Sequence, residues 1–376
     1  MAAKRVIISG GGTGGHIFPA VAIADALKLL HPDTEILFVG ANGRMEMERV
    51  PAAGYKIVGL DIQGFQRKSI WKNILLPIKL IKSVLKARSV IRDFKPDAAV
   101  GVGGYASGPL LYAAGQMGIP YLIQEQNSYA GITNKWLGKK AKKICVAFEG
   151  MEKFFPAARI LMTGNPIRKA SVDIVGKREE AIRFFGLDPS KKTILLTGGS
   201  LGAGTLNKSM LAGMAKIISA DIQVIWQTGK YYYQSILEQT DGKAKENIKI
   251  VEFLNRMDFA YAAADLIISR AGAGTIAELC MIKKPVILVP SPNVAEDHQT
   301  KNAQALAGKE AAIIITDDTA VQKLTDSALN LIADTAKCKK LGQNIGKMAL
   351  PGSDEIIANE VFKITETSHL LSGERI

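Results

Sequence analysis

His16 closes a run of glycines in SGGGTGGHIFPA, residues 9–20, where five of the first seven residues are glycine. An imidazole is the side chain suited to moving a proton near neutral pH. Placed directly after a glycine-rich turn, His16 falls in the first turn of a helix, whose positive end biases it toward the neutral, proton-accepting form. Three other stretches carry groups of similar promise. QEQN puts Glu125 at the end of an apolar run, either as a second candidate base or as an ordinary capping carboxylate. RAGAGTIAE, Arg270 to Glu278, opens a helix with small residues and sets a carboxylate about one turn inside it. A carboxylate so placed can accept from two vicinal hydroxyls, as an acidic residue does for ribose. EDHQTKN, Glu296 to Asn302, adds polar side chains where a sugar could lie.

These groups need elements to hold them. Short β-branched runs alternate with helical patterns along the whole chain: RVIIS, EILFVG, KIVGLDI, DAAVGVGG, YLIQEQ, KKICVAF and RILMTGNP, then TILLTGG, QVIWQTG, IKIVEF, DLIISRAG, PVILVP and AAIIIT. Strands alternating with helices imply βαβ units and parallel sheets. The scheme runs through twice, and 376 residues exceed the usual size of a single core. Two Rossmann-like domains are expected, residues 1–165 and 166–352, with a boundary at Gly164-Asn165-Pro166. Four glycine-rich turns follow strands: SGGGTGG, GVGGYASG, TGGSLGAG and SRAGAGT. Ligands of open parallel sheets bind at the carboxyl ends of strands, so two such edges facing each other would enclose one cleft.

The first turn formally meets the G-x-G-x-x-G dinucleotide fingerprint through Gly10, Gly12 and Gly15. The fingerprint also wants an acid at the end of the second strand, and EILFVGAN ends in Gly40-Ala41-Asn42, while Glu35 starts it. NAD is disfavoured. A Walker A loop fails because His16 stands where its lysine belongs. What remains is backbone N–H groups at a helix start, aimed at an anion, or close strand-to-helix packing with no ligand. No D-x-D, H-E-x-x-H or C-x-x-C occurs, so no dedicated metal site is expected. Charge on a leaving diphosphate would then fall to helix dipoles, N–H groups and a cation such as Arg168.

Three cysteines without metal spacing argue against a disulfide framework and for a reducing compartment. No export signal is expected in MAAKRVIISG, and no window reaches the ~20 apolar residues of a membrane span. The net charge of +13 is uneven: residues 1–165 hold 22 Lys+Arg against 11 Asp+Glu, the rest 26 against 24. Residues 65–92, FQRKSIWKNILLPIKLIKSVLKARSVIR, carry eight cations and no acid. Lys68, Lys72, Lys79 and Lys82 there interleave with Ile70, Trp71, Ile74, Leu75 and Ile78, a composition suited to an anionic bilayer surface. KWLGKKAKK, residues 135–143, could extend it. A nucleic-acid-binding module is the rival from another class, but no groove-reading motif accompanies the charge, and no nucleic-acid partner is expected.

GGTGGHIFPA, GGYASGP, QEQN, GNPIR, GGSLGAGTLN, RAGAGTIAE and DHQTKNA, in that order over nearly the whole chain, resemble the MurG family of bacterial N-acetylglucosaminyltransferases. The resemblance implies a GT-B fold of the α/β class, with UDP-N-acetylglucosamine held mainly by the C-terminal domain and the acceptor by the N-terminal one. The last helix, within 353–376, would cross back to the first domain. Thr13, Gly14 and Gly15 would border the donor sugar and diphosphate, and Asn127 would touch the sugar. Arg168 and Ser200 would bind phosphate. Leu254 would meet the uracil, with Ala273, Gly274, Thr275, Ile276, Ala277 and Glu278 around the nucleoside and Glu278 on the ribose. Gln299 would read sugar hydroxyls. Gln299-Thr300 stands where some members have Gln-Gln, and Ala271 where a serine often precedes the glycine.

The implied reaction is inverting transfer of N-acetylglucosamine to the 4-hydroxyl of undecaprenyl-linked lipid I, giving lipid II for the cell wall. A related GT-B transferase acting on another lipid, or a UDP-sugar epimerase, is the enzymatic alternative. No cofactor is implied. The partners would be the anionic membrane surface, lipid I and cell-wall synthesis proteins, at the cytoplasmic face of the plasma membrane. The base is His16 or Glu125, with His16 preferred.

Overall fold

The computed structural model describes residues 4–64, 76–199, 201–240 and 247–373. The chain divides into two units, one of Met1–Ile167 with Pro351–Ile376, the other of Arg168–Leu350.

The first unit is built on β1 (Arg5–Gly10), β2 (Glu35–Ala41), β3 (Lys56–Leu60), β4 (Ala98–Gly103), β5 (Tyr121–Glu125), β6 (Lys143–Val146) and β7 (Ile160–Met162). They form one parallel sheet in the order β3-β2-β1-β4-β5-β6-β7. Strands covered on both faces read as continuous apolar runs, and Val6, Ile7, Ile8, Ala98, Ala99 and Val100 are all fully buried. One face packs Ile17, Ala20, Ile23, Ala24 and Leu27 of the helix Gly14–Leu30 against Ile357, Ala358, Val361 and Phe362 of the C-terminal helix Ser353–Gly373. His31 and Phe362 meet edge to face at 4.4 Å. The last helix in sequence therefore completes the core of the first unit. The other face takes the helices Leu76–Phe94 and Ser107–Gln116 through Ala87, Ile91, Leu110 and Leu111.

The second unit holds β8 (Thr193–Thr197), β9 (Gln223–Gln227), β10 (Ile248–Val251), β11 (Leu266–Ser269), β12 (Val286–Leu288) and β13 (Ile313–Ile314). This sheet is also parallel, in the order β10-β9-β8-β11-β12-β13. Trp226 is fully buried at its centre, and its indole N–H donates to Asn207 Oδ1 at 2.9 Å. Asn207 in turn donates to the Thr228 carbonyl at 3.0 Å, so the helix Gly204–Ser219 is pinned to the end of β9 with its polar groups satisfied.

In both sheets the order reverses beside the first strand. The switch points lie between β1 and β4 and between β8 and β11. The four glycine-rich turns singled out in the sequence follow those four strands, two at each place where a doubly wound sheet opens a crevice.

Candidate active site

At the first switch point the turns after β1 and β4 pack main chain against main chain. Gly11 N–H donates to the Gly103 carbonyl at 3.2 Å. A Cβ on Gly104 would lie 2.4 Å from the Gly11 carbonyl oxygen, and Gly104 has φ +93°. Much of the glycine content thus serves close packing within the protein.

Thr13 takes the N-cap position of the helix Gly14–Leu30, which puts His16 in its first turn. His16 Nδ1 lies 3.0 Å from the Gly11 carbonyl oxygen and 3.5 Å from Thr13 Oγ1. A carbonyl only accepts, so Nδ1 is the nitrogen that carries the proton, and Nε2 of the neutral ring is the basic one. The ring lies over Gly103, where a Cβ would come within 2.8 Å of Nε2.

Glu125, at the end of β5, is committed elsewhere. Its side chain is buried, and its two oxygens accept from the N–H groups of Asn127 and Gly131 at 3.1 and 3.2 Å and from Asn134 Nδ2 at 2.8 Å. Asn127 Nδ2 stands at 3.4 Å. Burial pushes the Glu125 carboxyl pKa up, and these donors pull it back. Gln124, Gln126 and Asn165 form a buried amide network beneath it: Gln124 donates to Asn165 at 2.9 Å, and Asn165 to the Gln126 carbonyl at 3.0 Å.

At the second switch point, a Cβ on Gly202 would lie 2.0 Å from the Thr228 carbonyl oxygen. A Cβ on Gly199 or Gly274 would meet nothing within 4 Å, so the space beside these two is open. Gly272 caps the helix Ala273–Ile282, which carries Thr275, Ile276, Ala277 and Glu278. Glu278 accepts the phenolic proton of Tyr261 at 2.8 Å. Burial pushes its carboxyl pKa up, opposed by the Tyr261 hydrogen bond and the positive charge of Arg168. Arg168, an exposed cation at the start of the short helix Lys169–Val172, is thus within electrostatic reach of Glu278.

Gln299, in the first turn of the helix His298–Ala307, accepts the Ser291 N–H at 2.8 Å. The two residues before that helix, Glu296 and Asp297, both hold left-handed backbone at φ 55° and 54°. Non-glycine residues rarely adopt this region, and it is strained unless the surroundings impose it. Leu254 is half-buried in the turn after β10.

Arg270 is tied to its own unit. Its guanidinium donates to the carbonyls of Val289 and Pro290 at 3.0 and 3.2 Å and to Asp317 at 2.5 Å. Thr205 donates to the second Asp317 oxygen at 2.9 Å, so one carboxylate ties three segments of this edge together.

Of the expected surface patch, Ile78, Lys79 and Lys82 lie on the helix Leu76–Phe94. Ile78, Ile81 and Leu85 are more than half exposed, at 51%, 61% and 56%. Spaced by three and four residues, they form one stripe beside Lys82 and Lys86. Lys68, Ile70, Trp71, Lys72, Ile74 and Leu75 lie outside the described residues, as does Ser200. Among the described residues no helix is long and apolar enough to cross a membrane. Among the same residues no cluster of His, Cys, Asp or Glu is arranged to hold a metal ion.

Two residues that hold this edge of the second unit were not singled out in the sequence: Tyr261 and Asp317. Each meets its partner only through the fold, Tyr261 being 17 positions before Glu278.

The chain matches the Glycosyltransferase family 28 N-terminal domain over residues 6–146 and the Glycosyltransferase family 28 C-terminal domain over residues 193–350. It is 60% identical to the UDP-N-acetylglucosamine--N-acetylmuramyl-(pentapeptide) pyrophosphoryl-undecaprenol N-acetylglucosamine transferase of Bacteroides thetaiotaomicron, over 97% of this chain and 99% of that protein. The transferase of the same name from Bacteroides fragilis is 59% identical, over 97% of each chain. The crystal structure of Acinetobacter baumannii MurG superposes with a TM-score of 0.78 at 29% identity, covering 96% of this chain and 99% of that one.

Proposed function

The chain belongs to glycosyltransferase family 28, whose N- and C-terminal domains it carries in order, and from that premise we propose the reaction and the residues that perform it. The enzyme transfers N-acetylglucosamine from UDP-N-acetylglucosamine to the 4-hydroxyl of the N-acetylmuramyl sugar of pyrophosphoryl-undecaprenol-linked lipid I, giving lipid II. The hydroxyl oxygen attacks the anomeric carbon with inversion and loses its proton to His16. The bond to the β-phosphate breaks, and its electron pair leaves with UDP.

One observation carries the choice of base: the His16 Nδ1 contact with the Gly11 carbonyl at 3.0 Å, which makes Nε2 the proton acceptor. Glu125, with three donors within 3.2 Å, instead shapes the loop that presents Asn127. Thr13, Gly14 and Gly15 supply amide groups of a helix start to phosphate or sugar oxygens. In the second unit Arg168 and Ser200 meet the diphosphate, Leu254 meets the uracil through its backbone, and Ala273 to Glu278 surround the nucleoside. Glu278 accepts the ribose hydroxyls, and Gln299 reads the sugar.

The protein works peripherally at the cytoplasmic face of the plasma membrane. The apolar stripe of Ile78, Ile81 and Leu85 supports this, flanked by cations and free of acids up to Asp93. Cell-wall synthesis proteins are the expected neighbours there.

The test is transfer from UDP-N-acetylglucosamine to a lipid I analogue, with UDP-glucose and UDP-N-acetylgalactosamine as competing donors. Lipid II analogue should form only from the first. His16→Ala should lower kcat by about 100-fold or more, and near-normal turnover in that variant would remove His16 from the role.

A further inference from the structure

We propose that Glu46 is a positioning residue for the transfer reaction: its carboxylate locks the glycine-rich turn after β1 and, through Gly11, the tautomer of His16. This rests on His16 being the base.

Glu46 begins the short helix Glu46–Ala52 just beyond β2, and it is fully buried. Its two oxygens reach two different strand ends. Oε2 accepts the Gly12 N–H at 2.8 Å, and Oε1 accepts the Ala41 N–H at 3.0 Å. The space for the side chain is made by missing ones: a Cβ on Gly11 would lie 2.2 Å from Oε1, and one on Gly40 would lie 2.6 Å from Cγ. Gly11, inside the stretch that resembles a ligand-binding fingerprint, and Gly40 are therefore bare because a carboxylate of the same chain fills the room.

Two consequences follow for the chemistry. An anion already sits on the Gly12 N–H, so no phosphate can share it, and the turn is closed to a pyrophosphate bound in the dinucleotide manner. A charge-assisted bond also holds the Gly11-Gly12 peptide at its N–H. The Gly11 carbonyl meets His16 Nδ1 at 3.0 Å while its N–H is bonded to Gly103 at 3.2 Å. The orientation of that one carbonyl decides which imidazole nitrogen carries the proton, and Glu46 fixes its neighbour at Gly12, where φ is +85°. Without the carboxylate the peptide can turn, and the proton is free to move to Nε2, which abolishes the acceptor.

Glu46→Gln keeps the size but offers one acceptor oxygen for two N–H groups. In the full chain with UDP-N-acetylglucosamine and a lipid I analogue, E46Q should lower kcat about 10- to 100-fold, the scale of a small misplacement of a catalytic group. KM for UDP-N-acetylglucosamine should change less than kcat, because the uracil and ribose contacts are assigned to the other unit. Glu46→Asp, with a shorter arm, should recover part of the loss. In a His16→Ala background E46Q should cost nothing further. Nitrogen NMR of the His16 ring should show Nδ1–H in the wild type and a tautomer mixture in E46Q, with E46D read in the same way should E46Q fail to fold. An unchanged kcat, an equal loss in both backgrounds, or an unchanged tautomer overturns the proposal. If H16A alone keeps turnover while E46Q still shifts the tautomer, it is the base assignment that fails and the positioning by Glu46 that stands.

Discussion

Tyr261 donates its phenolic hydrogen to Glu278 Oε2 at 2.8 Å, and both side chains are largely withdrawn from water. A buried carboxylate held by one neutral donor retains acceptor capacity on its other oxygen and is oriented for it. We therefore expect Tyr261→Phe to raise KM for UDP-N-acetylglucosamine about tenfold with kcat little changed, consistent with about 1.5 kcal/mol for a hydrogen bond to a charged group. Burial pushes the Glu278 pKa up, and the Tyr261 bond opposes that. The ionised form is the one that takes both ribose hydroxyls. Donor KM should therefore climb on acidification sooner than an ordinary carboxylate would dictate, and at higher pH still in Y261F. Donor titrations across pH in both proteins check this.

Glycines that serve packing and glycines that serve a ligand should separate under alanine. Gly202 has φ +81° and no room beside Thr228, so Gly202→Ala should destabilise the second unit by about 3 kcal/mol or more. Gly274 lies within a helix with open space around it. Gly274→Ala should stabilise the fold by roughly 0.5–1 kcal/mol and yet raise KM for the donor. Thermal melts alongside donor titrations distinguish the two. A stable G274A with unaltered KM would show that this helix start does not approach the nucleotide.

The stripe on the helix Leu76–Phe94 makes a separate prediction. Ile78→Ser, Ile81→Ser and Leu85→Ser together should weaken binding to anionic vesicles at least tenfold, since each exposed aliphatic offers on the order of 1.5 kcal/mol of burial. Lys82→Glu and Lys86→Glu should do the same in low salt and less in high salt, at ~1 kcal/mol for each cation lost. Turnover of a water-soluble acceptor should not change. Vesicle sedimentation against that assay separates docking from catalysis.

Acid should loosen the second unit through Asp258. Both its oxygens accept from Arg256, at 2.9 and 2.8 Å, and Lys177 adds a third contact at 3.2 Å. The Arg256 hydrogen bonds are the main cause of a carboxyl pKa of about 2, against an ordinary 3.8. A depressed folded pKa means that the stabilisation is present above pH ~4 and is lost as pH falls toward 2. Arg256→Met keeps an apolar cover over Phe259, whose ring Arg256 meets at 3.4 Å, and leaves the carboxylate without its main partner. The acid unfolding midpoint should then move to higher pH.

The strands were legible because parallel strands buried on both faces are written as runs such as RVIIS and TILLT, with a turn after each. Strand order was not: nothing local records that β1 and β4 are neighbours across 87 intervening residues, 11 to 97, and so the pairing of glycine turns at the switch points emerged only from the sheet. The acid sought at the end of the second strand illustrates the same limit. Ala41 and Asn42 were read as its absence, yet Glu46 returns from the next helix to the same edge and turns inward. Arg270, which opens the segment RAGAGTIAE, is a brace, and no local pattern shows it because its partner Asp317 lies 47 residues away. Residue type and spacing pointed to His16, Glu125 and Glu278, but which of them is saturated by its own loop depends on donors such as Asn134 and Gly131, which carry no signal in the sequence.

The return of the helix Ser353–Gly373 to the first unit has a consequence for synthesis. The second unit is one uninterrupted stretch, Arg168–Leu350, and can close its core as soon as that stretch has left the ribosome. The first unit has no such independence: until Ile357, Val361 and Phe362 are translated, the face formed by Ile17, Ala20, Ile23 and Leu27 has no cover. The polypeptide that starts first is finished last, and a nascent chain stalled before residue 353 would present an unsealed apolar groove to chaperones and proteases.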